Sequence, residues 1–217
     1  MTEYSTLLFD LDGTLTDSTE GILNCLVNAI TQMGFVVPED TNKFLGPPIR
    51  QSFAEFCGMN EEQVSEAVRI FRERYSTVGL FENRVYDGIP EMLERLKNGG
   101  RRLMVATSKP ETYAVRIFDR FGLSQYFETV GGAELDGSRD YKDEVIEYVL
   151  ARAGMTDRSS VLMIGDRRQD VFGAHKTGIK CMGILWGFGS QEELTEAGAD
   201  YIAATPQEAA DMLLGQK

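Results

Sequence analysis

The stretch that decides the fold is residues 7–18, LLFDLDGTLTDS, close to the N-terminus. The apolar run that ends at Phe9 is typical of a short strand covered on both faces of a parallel sheet. It stops at two carboxylates one residue apart, Asp10 and Asp12, and Gly13 then permits a turn. Because ligands bind at the carboxyl ends of strands in an open α/β sheet, we expect both carboxylates to lie at the edge of a binding crevice. A solvated Asp-Gly turn is the alternative interpretation.

The second half of the chain alternates predicted strands with predicted helices. The strands are expected over residues 102–107, 129–131, 161–164, 180–185 and 201–202. The helices are expected from residues 87–90 to Gly99, over 111–121 and 142–153, through Val171, after Ser190 and after Pro206. This alternation is typical of an α/β fold built on a doubly wound parallel sheet.

Residues 18–83 interrupt that alternation with a segment that is predicted to be helical throughout. Apolar residues recur at helical spacing from Ile22 to Met33 after a Ser18/Thr19 cap, a second helix is expected over residues 49–56, and a longer amphipathic helix after Asn60 includes Val78. We therefore expect two domains. One is an α/β core formed by residues 1–17 and 84–217, and the other is an inserted all-α domain formed by residues 18–83.

Composition restricts the partners and the location of the protein. With 22 basic and 34 acidic residues the net charge is −12, which disfavours nonspecific binding to nucleic acid or to an anionic membrane surface. No apolar run approaches the ~20 residues of a membrane span, and the N-terminus does not resemble a signal peptide, so we expect a cytoplasmic protein. Three distant cysteines without a C-x-x-C motif are expected to be reduced core residues. The chain shows no heptad seam, and we expect a monomer.

Four segments together resemble the motifs of the haloacid dehalogenase-like hydrolase superfamily. The first is DLDGT at residues 10–14, and it is followed in the expected order by VATS at 105–108, Lys142 at a helix start, and IGDRRQD at 164–170. The resemblance implies a Rossmann-like core of the kind found in that superfamily, with a helical cap over the catalytic crevice. The segments GPPIR at 46–50 and GDRRQDVFGA at 165–174 resemble the phosphoglycolate phosphatase-like branch, which includes relatives that are nucleotidases.

Four carboxylates are predicted to converge at one end of the sheet: Asp10, Asp12, Asp166 and Asp170. Carboxylates that close cannot all stay ionised without a cation, and oxygen ligands with a phosphate substrate favour Mg²⁺. The resemblance implies that Asp10 and Asp166 bind the metal through their side chains and Asp12 through its backbone carbonyl. It implies a supporting carboxylate at Asp170.

The same residues indicate phosphoryl transfer. A carboxylate nucleophile suits an electrophilic phosphorus, so Asp10 is expected to be phosphorylated transiently. Asp12 is placed to protonate the leaving alkoxide and then to deprotonate the attacking water. Dehalogenases that share the fold have no carboxylate at that second position, so Asp12 favours phosphate transfer. Thr107, with Ser108, and Lys142 are expected to bind the phosphoryl oxygens.

Each of these residues also has an ordinary structural interpretation. Thr107 could end a strand, Lys142 could cap an exposed helix, and Asp166 and Asp170 could be carboxylates that favour a helix dipole. The sole histidine, His175, is expected to be a surface residue, because the proposed acid and base is already an aspartate.

Three residues are candidates for substrate specificity. Arg50 could bind a carboxylate or a second phosphate, or lie exposed on its helix. Arg139 lies in a predicted loop, and Trp186 could stack on a base or fill the sheet edge.

The favoured function is a Mg²⁺-dependent phosphatase that acts on a small phosphorylated metabolite such as 2-phosphoglycolate, and the alternative substrate is a nucleoside monophosphate, as for a 5'-nucleotidase. A β-phosphoglucomutase-like sugar phosphomutase would share all four motifs and a helical cap. A phosphorylated-aspartate signalling domain carries its acceptor on the third strand, whereas Asp10 is on the first. A binding protein without activity is disfavoured because every catalytic position is occupied.

Overall fold

The structure of the protein is a computed structural model that describes residue 1 and residues 3–216. The chain forms two compact units. One unit contains Met1–Thr16 and Val85–Lys217, and the other contains Asp17–Arg84.

The described residues contain the following strands: β1 (Thr6–Phe9), β2 (Thr16–Asp17), β3 (Arg84–Val85), β4 (Arg102–Pro110), β5 (Thr129–Ala133), β6 (Val161–Gly165), β7 (Lys180–Ile184) and β8 (Tyr201–Ala203). The α-helices are α1 (Thr19–Gln32), α2 (Ile49–Cys57), α3 (Glu61–Arg74), α4 (Ile89–Asn98), α5 (Glu111–Phe121), α6 (Lys142–Arg152), α7 (Arg168–Lys176), α8 (Gln191–Glu196) and α9 (Pro206–Leu214).

The larger unit is built on a six-stranded sheet in the order β5-β4-β1-β6-β7-β8, and every neighbouring pair is parallel. The chain first builds the sheet from β1 towards β5 and then crosses back to build it from β6 to β8. The order therefore reverses beside β1, and ligands bind at such a switch point in open α/β sheets.

Helices cover both faces of this sheet. On one face, α6 and α7 pack against buried side chains of the central strands, including Leu8, Met104 and Met163. On the other side, α5 contacts β4 and β5, while α9 contacts α4 and β8. All four residues of β1 are buried, and three of them form the apolar run Leu7 to Phe9. The predicted doubly wound α/β fold is confirmed.

The smaller unit is mainly helical. Helix α1 contacts α3 and the π-helical turn Tyr75–Gly79 that follows α3. The approach to that turn is close, because a Cβ on Gly21 would lie 2.0 Å from the carbonyl oxygen of Gly79. Helix α3 begins with the capping box formed by Asn60 and Gln63. Val78, which was predicted on the buried face of a long helix, lies in the π-helical turn and is half exposed.

Two further sequence expectations concern the membrane and the cysteines. Among the residues that the structure describes, no helix combines the length and apolar character needed to cross a membrane. None of the three described cysteines forms a disulfide, and Cys25 and Cys181 are buried as expected, whereas Cys57 at the end of α2 is partly exposed.

Candidate active site

Three adjacent central strands bring the predicted site residues to the same edge of the sheet. Asp10 directly follows β1, Thr107 lies near the end of β4, and Asp166 directly follows β6. The backbone N–H of Asp10 donates to the carbonyl of Ile164 at 2.9 Å, so the first and last of the predicted motifs are joined across neighbouring strands. The parallel topology thus gathers residues that are more than 150 positions apart in the sequence.

Asp10, Asp166 and Asp170 form a buried carboxylate cluster, and each can offer one oxygen within 4.8 Å of the others. Both oxygens of Asp166 are held in place. One accepts from the Thr14 hydroxyl at 2.9 Å and the other from the backbone N–H of Phe188 at 2.8 Å. Asp170 lies in the first turn of α7.

Lys142, the first residue of α6, lies between two of these carboxylates. Its ammonium is 2.9 Å from Asp10 and 2.8 Å from Asp170, and it also donates to the carbonyl of Ala106 at 3.1 Å. Burial alone would lower the pKa of Lys142, but the two carboxylates outweigh it and raise that pKa above its ordinary value. The lysine is therefore a fixed buried cation and not an exposed helix residue.

Ionising these buried carboxylates costs free energy, and the single ammonium of Lys142 does not fully offset that cost. Burial, with repulsion from Asp170 and Asp10, raises the pKa of Asp166 well above its ordinary value. Burial also raises the pKa of Asp170 to about 6, although Lys142 opposes the shift. When all three carboxylates are ionised, their negative charge exceeds the single positive charge of Lys142.

Lys109 supplies a second buried cation, which was not predicted from the sequence. Its ammonium is 2.7 Å from Asp12 Oδ2, and the Lys109 and Asp12 side chains are only 5% and 19% exposed. Strand β4 continues to Pro110, beyond the predicted end at Thr107. Residues two apart on a strand point to the same face, so the spacing of Thr107 and Lys109 was the signal that could have found this lysine.

The charges of the assembled site fit a divalent cation. Asp10, Asp12, Asp166 and Asp170 are offset by two ammonium groups, which leaves two uncompensated negative charges when all are ionised. Carboxylate oxygens are the ligands that hard cations such as Mg²⁺ prefer. The buried carboxylate cluster could therefore hold one such ion.

Two loops close tightly around Asp166. A Cβ on Gly13, which has φ +86°, would lie 2.3 Å from Asp166 Oδ2, and a Cβ on Gly187 would lie 2.4 Å from Asp166 Cβ. Trp186 joins these loops, because its indole N–H donates to the carbonyl of Thr14 at 2.9 Å. This hydrogen bond gives Trp186 a structural role beside its predicted role in specificity.

The two arginines that are candidates for substrate specificity already have partners. Arg50 is 2.6 Å from Glu61, within the unit of residues 17–84. Arg139 pairs with Glu134 at 2.7 Å and lies 3.6 Å above the ring of Tyr148, beside the edge strand β5. Both guanidinium groups are therefore engaged in contacts within their own units.

The remaining predicted residues lie as follows. Thr107 is buried, and its hydroxyl accepts from the backbone N–H of Lys109 at 3.2 Å. Ser108 is partly exposed beside it. His175 is exposed and contacts Asp200 at 3.0 Å, near the end of α7 that is opposite Asp170.

The fold and this set of residues define a haloacid dehalogenase-like hydrolase. The family model of that description matches residues 7–184, and the chain belongs to this family. The names of similar proteins indicate which kind of hydrolase this is. The chain is 45% identical over 193 residues to a protein of Pseudomonas aeruginosa named 5'-nucleotidase, with 88% of this chain and 87% of the relative covered.

Two other curated relatives carry different names. The chain is 38% identical to a protein of Mycobacterium tuberculosis named tyrosine-protein kinase PtkA, over 95% of this chain and 72% of the relative. It is 29% identical to a phosphoglycolate phosphatase of Aquifex aeolicus, over 84% of this chain and 85% of the relative.

A solved structure supports the same class. It is a predicted phosphatase from Clostridium acetobutylicum that is 41% identical, with a TM-score of 0.93 and coverage of 98% of this chain and 99% of that one. The protein is thus a phosphatase, and the similarity to phosphoglycolate phosphatases supports the predicted branch of the superfamily.

Proposed function

We propose that this phosphatase hydrolyses phosphate monoesters through a covalent aspartyl phosphate on Asp10, with Mg²⁺ as cofactor. The observation that carries the proposal is the buried carboxylate cluster of Asp10, Asp166 and Asp170, with the Lys142 ammonium in contact with two of its members. Mg²⁺ bound by that cluster would supply positive charge close to the phosphoryl oxygens.

In the first step, a carboxylate oxygen of Asp10 attacks the phosphorus of the ester. A bond forms between that oxygen and phosphorus, and the bond from phosphorus to the leaving oxygen breaks. Asp12 gives its proton to the leaving alkoxide, which departs as the alcohol.

In the second step, water attacks the phosphorus of the aspartyl phosphate, and Asp12 takes a proton from that water. The bond between phosphorus and Asp10 breaks, and inorganic phosphate leaves. Asp10 is again a carboxylate and Asp12 is again protonated, as at the start of the first step. Lys142 and the Thr107 hydroxyl would bind phosphoryl oxygens during both steps and offset the negative charge that develops there.

For the substrate, we favour a nucleoside 5'-monophosphate over 2-phosphoglycolate. The nucleotidase relative is 45% identical, whereas the phosphoglycolate phosphatase relative is 29% identical. Arg50, which could bind the carboxylate of phosphoglycolate, and Arg139, the other arginine among the specificity candidates, already have carboxylate partners. An ester whose organic part is uncharged does not need either arginine. 2-Phosphoglycolate stays the second candidate, because relatives of that name share most of the chain.

We also propose that residues 18–83 form the cap domain of this enzyme and residues 1–17 and 84–217 its catalytic core. The proposal rests on the resemblance to capped members of the superfamily and on the compact helical unit of residues 17–84. A cap would exclude bulk water while Asp10 is phosphorylated. The monomeric state and the cytoplasmic location stay predictions.

A substrate panel tests this function. Purified protein is incubated with uridine 5'-monophosphate, 2-phosphoglycolate, β-glucose 1-phosphate and 4-nitrophenyl phosphate, with Mg²⁺ or with EDTA, and released phosphate is measured. We expect kcat/KM for the nucleotide to exceed that for phosphoglycolate by at least about tenfold and EDTA to abolish turnover. A preference for phosphoglycolate would reverse the substrate choice. Isomerised glucose phosphate without phosphate release, or turnover that EDTA leaves intact, would contradict the proposed reaction.

A further inference from the structure

Lys109 is a buried cation whose position none of the steps above explains. Its side chain is 5% exposed, and a buried ammonium is tolerated only where a partner compensates for its lost hydration. Asp12 Oδ2 is such a partner, at 2.7 Å. The Lys142 ammonium contacts the proposed nucleophile Asp10, whereas the Lys109 ammonium contacts Asp12.

The backbone of Lys109 is held firmly. Its N–H donates to the hydroxyl of Thr107 at 3.2 Å. Its carbonyl passes so close to β5 that a Cβ on Gly132 would lie 2.4 Å from the carbonyl oxygen. The register between β4 and β5 also shifts between Thr107 and Pro110, where Lys109 lies. The ammonium therefore starts from a fixed main chain.

The two oxygens of Asp12 are in different environments. Oδ2 contacts the ammonium, whereas Oδ1 is buried and accepts no hydrogen bond from any residue that the structure describes. A carboxylate held at one oxygen cannot rotate freely, so its other oxygen is presented in one direction.

We propose that Lys109 is a positioning residue for Asp12. Its ammonium holds Oδ2, so that Oδ1 is the oxygen that exchanges protons with the leaving alkoxide and then with water. The inference rests on the proposed function, because it assigns a role within that reaction. It predicts that loss of Lys109 harms only those reactions in which the leaving group needs a proton.

The test compares two leaving groups in single-turnover experiments. 4-Nitrophenolate leaves without a proton, whereas the alkoxide of uridine 5'-monophosphate requires one. We expect Lys109→Met to slow cleavage of the nucleotide at least about tenfold and to change the initial burst of nitrophenol by less than about threefold. The matched control is Lys180→Met, which removes an exposed lysine at the start of β7 and should change neither rate.

A double-mutant cycle with Asp12→Asn completes the test. If Lys109 acts only through Asp12, adding Lys109→Met to Asp12→Asn should change the nucleotide rate by less than about threefold. The double variant also has no unpaired carboxylate at residue 12, so it remains informative if Lys109→Met alone does not fold.

Three outcomes separate the claims. Equal losses on both substrates would mean that Lys109 supports the whole site or binds phosphate, and additive losses in the cycle would mean that it acts independently of Asp12. Either result overturns the inference while leaving the proposed function intact. A wild-type enzyme without a nitrophenol burst, together with an active Asp10→Asn variant, would instead overturn the proposed function.

Discussion

The backbone at Gly13 passes so close to the Asp166 carboxylate that no side chain fits between them. Gly13 combines a positive φ with a position where a Cβ would lie 2.3 Å from an Asp166 oxygen. That oxygen accepts the hydrogen bond from Phe188 that helps to fix the carboxylate. Glycine at residue 13 is therefore required by the position of Asp166 as well as by the turn itself.

Replacing Gly13 by alanine should separate these two requirements. The positive φ alone costs about 1 kcal/mol, whereas the clash would displace Asp166 and lower kcat at least about 100-fold. Gly122→Ala is the matched control, because Gly122 has φ +68° and no described heavy atom within 4 Å of a Cβ. It should lose about 1 kcal/mol of unfolding free energy and keep its activity. Unchanged kcat in Gly13→Ala would show that Asp166 is not held as the structure indicates.

Some residues of the candidate site could be predicted from the sequence and others could not, for a physical reason. Asp10 and Asp166 each follow an apolar run directly, so the strand ends themselves indicated their location. Lys109 was not predicted because the apolar run of β4 ends before Thr107, and the two-residue spacing that relates Lys109 to Thr107 was not followed beyond that end. The pairing of Arg50 with Glu61 was not predicted either, because Glu61 lies 11 residues later on another helix. Pairing between elements is not encoded in the local pattern.

At the scale of elements, a partly buried ion pair between Arg74 and Glu82 connects the end of α3 with the end of the helical unit. Arg74 makes two contacts with Glu82, at 2.7 and 2.9 Å, and also contacts the Cys25 sulfur on α1 at 3.0 Å. The backbone carbonyl of Glu82 accepts from Gly21 at 3.0 Å. The pair thus joins the two ends of this unit.

Glu82→Gln tests that pair through its pH dependence. The Arg74 hydrogen bonds lower the pKa of Glu82, so the stabilisation is complete above its ordinary value of about 4.3 and is lost as pH falls below it. We expect a loss of about 1 kcal/mol near pH 7, because the pair is partly exposed, and a smaller difference from wild type near pH 4. Urea unfolding followed by circular dichroism measures it. Glu39→Gln, in an exposed loop, is the control, and a difference that does not depend on pH would contradict the assignment.

The bounds of most elements could be predicted, because their end signals are local. Asn60 begins α3 with its capping box, and Gly122 ends α5 in the left-handed conformation. The predicted cap of α1 is different. Ser18 makes no capping hydrogen bond, and the Asp17 carboxylate accepts from the N–H of Thr19 instead. The π-helical turn at Tyr75–Gly79 was not foreseen, because it depends on the close approach of α1.

At the scale of the whole molecule, the enzyme must bind an anion although its own net charge is −12. Long-range attraction therefore does not favour a phosphate ester, and binding relies on charges inside the site. Lys142 supplies one of these charges, and the carboxylate cluster could supply another through a divalent cation. The composition alone predicts the repulsion between the protein and an anionic substrate. Only folding brings together residues 10, 109, 142 and 166.

The measurement that tests the central claim most directly is the site of phosphorylation during turnover. Protein mixed with 4-nitrophenyl phosphate and Mg²⁺ is quenched with acid and treated with borohydride, which reduces an acyl phosphate to the alcohol. We predict that mass spectrometry will find residue 10 converted to homoserine, with Asp12, Asp166 and Asp170 unchanged. Phosphate release without modification of residue 10, or reduction at another carboxylate, would contradict the account.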